Sequence, residues 1–131
     1  TVKCWGRNQY GELGIGTNDD RGDGPGEMGD ALPRADLGTG RTALAIKAGA
    51  HNTCALLDDH SMKCWGLNER GQLGTGVYAN RGWDAARMGS GLPTVNRGTG
   101  LTAKQLLDAG QGWKSMHICA RLSDDSSKCW G

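Results

Sequence analysis

The tetrapeptide Lys-Cys-Trp-Gly occurs three times in this chain of 131 residues, at positions 3–6, 63–66 and 128–131. The copies are separated by 60 residues (63 − 3) and by 65 residues (128 − 63). Longer segments repeat at the offset of 60, since residues 3–16 and 63–76 agree at nine of 14 positions. Such duplication restricts the chain to folds in which copies of one small supersecondary unit stack side by side.

The repeat spacing predicts three segments. Residues 1–62 form a first blade-length repeat, residues 63–127 form a second, and residues 128–131 are the opening motif of a third. Repeat folds generally need at least three units, and the position ten residues before Cys4 would precede residue 1 (4 − 10 = −6). We therefore expect the chain to be part of a larger ring or to be embedded in an assembly.

Composition and local pattern indicate β-structure. The chain has 23 Gly, no Phe and 37% apolar residues, which suits repeated strands and turns. Apolar runs at 53–57 and 62–65 flank the sequence Asp-Asp-His, which predicts a β-hairpin whose loop ends on a left-handed residue, His60. Asp125 occupies the same place in the next repeat.

Two further strands are expected in each repeat. In the first repeat they lie at residues 43–47 and near residues 32–37, after Pro33. With the hairpin they make about four antiparallel strands, which is the composition of one propeller blade.

The cysteines recur with one spacing. Cys54 and Cys64 are separated by nine residues, as are Cys119 and Cys129. In a hairpin centred on Asp59, paired positions sum to 118, so that Cys54 and Cys64 stand opposite each other, close enough for a disulfide. Two bridges indicate an oxidising compartment, extracellular or within an organelle lumen, and leave Cys4 unpaired in this segment. Free buried cysteines and a zinc site are the alternatives.

The tryptophans fall into two groups. Trp5, Trp65 and Trp130 share one repeat position and are predicted to pack between blades. Trp83 and Trp113 have no counterpart in the other repeat, and Met116 lies with Trp113 in a four-residue insertion. Because unrepeated apolar side chains on loops suit partner contacts, these three residues are the candidate contact residues.

Charge and motifs exclude several functions. The net charge of +1 comes from 15 basic and 14 acidic residues without a basic stripe, which argues against nucleic-acid binding, and no apolar run reaches the ~20 residues of a membrane span. Asp19, Asp20 and Asp23 are weak calcium candidates, but their loop lacks the spacing of a calcium-binding motif. With no nucleophile elbow or phosphate loop, we expect neither catalysis nor a cofactor.

The segment 51–76 resembles the repeat of the regulator of chromosome condensation family. The residues that carry the resemblance are His51, Trp65-Gly66, Asn68 and Gly71-Gln72-Leu73-Gly74. Members of that family form seven-bladed β-propellers, so the resemblance implies an all-β fold of antiparallel blades and an incomplete segment of a larger ring. The long segment 17–30 and the paired cysteines depart from the nuclear members.

These features lead to one preferred function and one alternative. The preferred function is a non-catalytic protein-binding or scaffolding module, a structural or accessory part of a larger secreted or lumenal assembly with protein partners or neighbouring subunits. Inhibition of an extracellular enzyme, as by bacterial β-lactamase inhibitors that resemble this fold, is a special case. The alternative is guanine-nucleotide exchange on a small GTPase, by analogy with nuclear family members.

Overall fold

In the computed structural model, residues 1–107 and 116–131 are described. They form two antiparallel sheets of three strands each, and each sheet follows the order of the chain. The first sheet contains β1 (Ala43–Ala48), β2 (Asn52–Leu57) and β3 (Met62–Gly66); the second contains β4 (Ala103–Leu107), β5 (Ile118–Leu122) and β6 (Ser127–Trp130). Short 3-10 helices lie at Gly29–Ala31, Ala85–Arg87 and Gly89–Gly91. The prediction of an all-β fold with antiparallel, incomplete blades is confirmed.

The hairpins have the predicted register and turns. Cys54 lies opposite Cys64 in the first sheet, and Cys119 lies opposite Cys129 in the second. His60 has φ 59° and Asp125 has φ 65°, which is the left-handed conformation expected at the end of each loop. The turn register is therefore the same in both repeats.

The hairpin loop is held by its own polar groups. The Asp59 carboxylate accepts hydrogen bonds from the Ser61 hydroxyl at 2.6 Å and from the Ser61 N–H at 3.0 Å. The hydroxyl hydrogen bond lowers the pKa of the Asp59 carboxyl, and Ser126 has the same effect on Asp124 in the second hairpin. Such side-chain bonds to the turn favour one loop conformation.

The predicted fourth strand at 32–37 is wrong. The backbone hydrogen bonds of this segment go to three different segments and not to one partner strand: Ala35 N–H donates to the Val2 carbonyl at 3.0 Å, Asp36 N–H donates to the Gly14 carbonyl at 3.3 Å, and the Asp36 carbonyl accepts from Gly89 N–H at 3.0 Å. In the second repeat, Val95 N–H makes the equivalent bond to the Met62 carbonyl at 2.8 Å. Pro33 has no N–H to donate, so a continuous ladder cannot begin there. The segment contributes instead by burying Leu32 and other apolar side chains.

Two apolar clusters lie on the two faces of the first sheet. Cys54 and Leu56 of β2 belong to the cluster shared with the second sheet, whereas Ala55 and Leu57 belong to a cluster with Val2. All six residues of β2 are buried, because both of its faces are covered. The first sheet is thus the middle layer of the described structure. No helix in the described ranges is long and apolar enough to span a membrane.

Trp65 joins the first sheet to the loop that precedes it. Its side chain is fully buried, and its indole N–H donates to the Glu12 carbonyl at 2.9 Å. At Gly14, φ is 67°, and a Cβ there would lie 2.7 Å from the indole nitrogen. The close packing of the Trp65 ring on this backbone therefore requires glycine. Trp130 repeats the contact through a 3.0 Å hydrogen bond to the Gln72 carbonyl. Trp5 is 64% exposed, and its assignment to blade packing stays a prediction.

Candidate partner-binding groove

Residues 8–20 form a loop closed around one buried amide. The Asn8 side chain donates to the Thr17 carbonyl at 2.8 Å and to the Asp19 carbonyl at 3.0 Å. Its oxygen accepts from the Leu13 N–H at 2.9 Å. Since Asn8 is fully buried, these bonds satisfy its amide and hold both ends of the loop together.

Residues 68–80 repeat this arrangement. The Asn68 amide donates to the carbonyls of Val77 and Ala79, and its oxygen accepts from the Leu73 N–H at 2.9 Å. Asn68 is fully buried too. We name residues 8–20 and 68–80 the anchored loops.

The first anchored loop touches the segment that follows the second. The Gly16 N–H donates to the Gly82 carbonyl at 3.0 Å. Gly82 has φ 103°, and a Cβ there would collide with the Gly11 carbonyl oxygen, so the approach of the two backbones requires glycine. This contact places the two anchored loops side by side, with an open groove of about 500 Å³ between them.

Aromatic and amide side chains line the groove. Tyr78 is 79% exposed and Trp83 is 41% exposed, although both are large apolar side chains. The Arg87 guanidinium carbon lies 4.7 Å from the Trp83 ring centroid, in the geometry of a cation–π contact. The ring centroids of Tyr10 and His51 lie 5.5 Å apart in an edge-to-face arrangement. The lining also includes Gln9, Asn18 and Asn80.

Short-range contacts of Asp84 fix the position of Arg87 beside Trp83. Asp84 accepts a hydrogen bond from the Ala86 N–H at 2.9 Å, which caps the short helix Ala85–Arg87. The other Asp84 oxygen lies 3.8 Å from the Arg87 Nε. Arg87 is thus held over Trp83 by an ion pair. The chemistry suits contact with a surface that is partly apolar and partly hydrogen-bonding.

Of the three candidate contact residues, the structure places Trp83 in this groove. Met116 is 37% exposed and is not among the groove residues. Trp113 lies outside the described residues. Tyr78 was missed by sequence reasoning, although it has a clear signal: the equivalent position of the first repeat is Asn18, so Tyr78 is another unrepeated aromatic.

The acidic candidates of segment 17–30 have other contacts or are exposed to solvent. Asp20 accepts a hydrogen bond from the Asn8 N–H at 2.7 Å, and Asp19 lies 3.7 Å from the Arg21 guanidinium. Asp23 is exposed. Within residues 1–107 and 116–131, no group of three His, Cys, Asp or Glu side chains is placed to hold a metal ion.

Both predicted cysteine pairs form disulfide bonds. These four cysteines are therefore neither free thiols nor zinc ligands in this structure. Cys54–Cys64 and Cys119–Cys129 each have a Cα–Cα distance of 4.1 Å. Cys4 is a half-buried free thiol, and burial raises its pKa. A raised pKa lowers the thiolate fraction, so Cys4 is poorly suited to act as a nucleophile.

Two comparisons with known proteins agree with the geometry. The family model of the regulator of chromosome condensation (RCC1) repeat matches residues 44–72, which cover nearly all of the first sheet and the start of the second anchored loop. The ultraviolet-B receptor UVR8 of Arabidopsis thaliana is 32% identical over 81 residues. Those residues are 61% of this chain and 16% of the receptor, so the chain is similar to a small part of that relative.

Proposed function

We propose that this chain, which matches the family model of the regulator of chromosome condensation repeat over residues 44–72, is a non-catalytic protein-binding module that uses the groove between its anchored loops. The observation that carries the proposal is the exposure of Tyr78 beside Trp83 in one groove. Large aromatic residues are enriched at the centres of protein interfaces, where they supply contact area at a low cost in conformational entropy.

The rigidity of the groove supports this function. Asn8 and Asn68 each close their loop through three side-chain hydrogen bonds, and neither amide is exposed. A surface that is already ordered loses little conformational entropy when a partner binds. The partner surface that fits is a polypeptide loop with an apolar side chain for Trp83 and polar backbone groups for the amides beside it.

The paired cysteines support an extracellular or lumenal location for this module. Disulfides persist in oxidising compartments and are rare in the cytosol and nucleus of most organisms. We propose that the module is a structural or accessory part of a larger assembly in such a compartment. Guanine-nucleotide exchange on a small GTPase would place the chain in a reducing compartment, and the two bridges argue against that alternative.

We expect the double variant Tyr78→Ser/Trp83→Ser to weaken partner binding by roughly 10- to 100-fold, because it removes both aromatic contacts from the groove. The partner would be captured from the native source on immobilised chain, identified by mass spectrometry and purified. Affinity would then be measured by calorimetry.

The matched control is Leu44→Ser/Ile46→Ser. These two residues are also exposed apolar side chains, at 57% and 39%, but they lie on β1 and not in the groove. Wild-type affinity in the groove variant, together with weakened binding in the β1 variant, would place the contact surface elsewhere. Urea unfolding of both variants checks that the fold is intact.

A further inference from the structure

The two sheets present equivalent faces with different chemistry. In the first sheet, the face that packs on the second sheet is apolar and less than about one-tenth exposed; it contains Cys54, Leu56, Met62 and Cys64. The residues 65 positions later in the second sheet are Cys119, Arg121, Ser127 and Cys129. An arginine and a serine therefore replace a leucine and a methionine around the second bridge.

The register shows that these residues share the outer face of the second sheet. Cys119 lies opposite Cys129, and Arg121 lies opposite Ser127 two residues further along the hairpin. Gln105 of β4 lies opposite Arg121 and continues the polar face. Cys119 is half-buried, whereas Cys129 and the three polar residues are exposed.

The charges on this side of the hairpin have partners that leave them in contact with solvent. The Arg121 guanidinium donates to the Asp125 carboxylate at 3.0 Å, and the Lys104 ammonium donates to the same carboxylate at 2.8 Å. All three side chains are about half exposed or more. An apolar layer placed over Arg121 would have to remove a charged group from water at a large cost. Among the described residues, this face is exposed to solvent.

We propose that Cys119–Cys129 is a thiol-exchange site open to dithiol reductants, whereas Cys54–Cys64 is a sealed structural bridge. This inference goes beyond the proposed function and does not depend on the groove. Its basis is that Cys54 and Cys64 are both 0% exposed between the two sheets, while Cys129 is exposed, among residues 1–107 and 116–131, on a face that carries Gln105, Arg121 and Ser127. Exchange requires a thiolate to reach a sulfur atom, so access separates two bridges of equal spacing.

An external dithiol supplies the two electrons and two protons that reduction of the bridge requires. Its thiolate attacks one sulfur of the bridge, which forms a mixed disulfide and releases the other cysteine as a thiolate. The second thiol of the reductant, once deprotonated, then closes the reductant's own disulfide and releases the remaining cysteine. Two electrons pass from the dithiol to the bridge, and Cys119 and Cys129 each take up a proton.

Cys4 does not supply the attacking thiol. It packs against the cluster on the side of the first sheet away from the second sheet, and its pKa is raised by burial. Within the described ranges, β6 pairs only with β5. Reduction of the exposed bridge removes the covalent bond between β5 and β6, which are otherwise joined by their backbone hydrogen bonds and the turn.

The test uses the full chain with both bridges formed and with Cys4 first blocked by N-ethylmaleimide. Dithiothreitol is added under native conditions, samples are quenched with iodoacetamide at intervals, and alkylated cysteines are measured by peptide mass mapping. We expect Cys119 and Cys129 to be alkylated at least tenfold faster than Cys54 and Cys64.

Two controls keep the result specific. In 6 M guanidinium chloride the two bridges should be reduced at similar rates, because the shielding of Cys54–Cys64 is lost. The variant Cys119→Ser/Cys129→Ser should lack the fast phase in native buffer. Equal native rates for both bridges, faster reduction of Cys54–Cys64, or reduction of Cys119–Cys129 only on unfolding would each overturn the proposal.

Discussion

Replacing Trp65 by alanine is expected to lower the free energy of unfolding by about 3 to 5 kcal/mol. The Trp65 side chain is fully buried, and its N–H donates to the Glu12 carbonyl. The truncation leaves a cavity beside Gly14. Urea unfolding followed by circular dichroism measures the change.

Trp5→Ala is the matched control, because Trp5 occupies the same repeat position but is 64% exposed. We expect it to change the free energy of unfolding by less than about 0.5 kcal/mol. Equal losses for the two variants would contradict the assignment of Trp65 as the residue that joins the sheet to its preceding loop.

Leu56→Arg is expected to cost about 4 kcal/mol or more and to leave little folded protein. Leu56 is 3% exposed in the apolar cluster between the sheets, so an arginine there would be a buried charge without an opposite charge to pair with. The reciprocal change, Arg121→Leu, alters an exposed position and should stay within about 1 kcal/mol. Thermal and urea unfolding of both variants provide the comparison.

The pair of variants also examines the difference between the two sheet faces. If Leu56→Arg lowered the free energy of unfolding no more than Arg121→Leu does, the cluster between the sheets would not exclude water. The Cys54–Cys64 bridge would then not be shielded from reductants. A severe effect of Arg121→Leu would show instead that its ion pair with Asp125 holds the second hairpin together.

The sequence by itself determined the features that depend on local geometry. Hairpin register follows from the turn, because paired positions have a constant sum, and this predicted both disulfides. The left-handed residues His60 and Asp125 follow from the loop length. The offset of 60 and the segment 51–76 together predict repeated antiparallel blades.

Only the tertiary structure decided what surrounds each repeated residue. Trp65 is buried because the loop that contains Glu12 and Gly14 packs against it, and the repeat position alone does not reveal this contact. The groove could not be predicted, because it exists only where the backbone near Gly82 meets the first anchored loop. The prediction of a fourth strand was wrong because an extended segment becomes a strand only when one neighbour forms a ladder of hydrogen bonds with it, and the backbone bonds of the segment after Pro33 go to three different segments. Burial and the pairing of segments that are distant in sequence depend on tertiary contacts, which the repeat offset and the local turns do not specify.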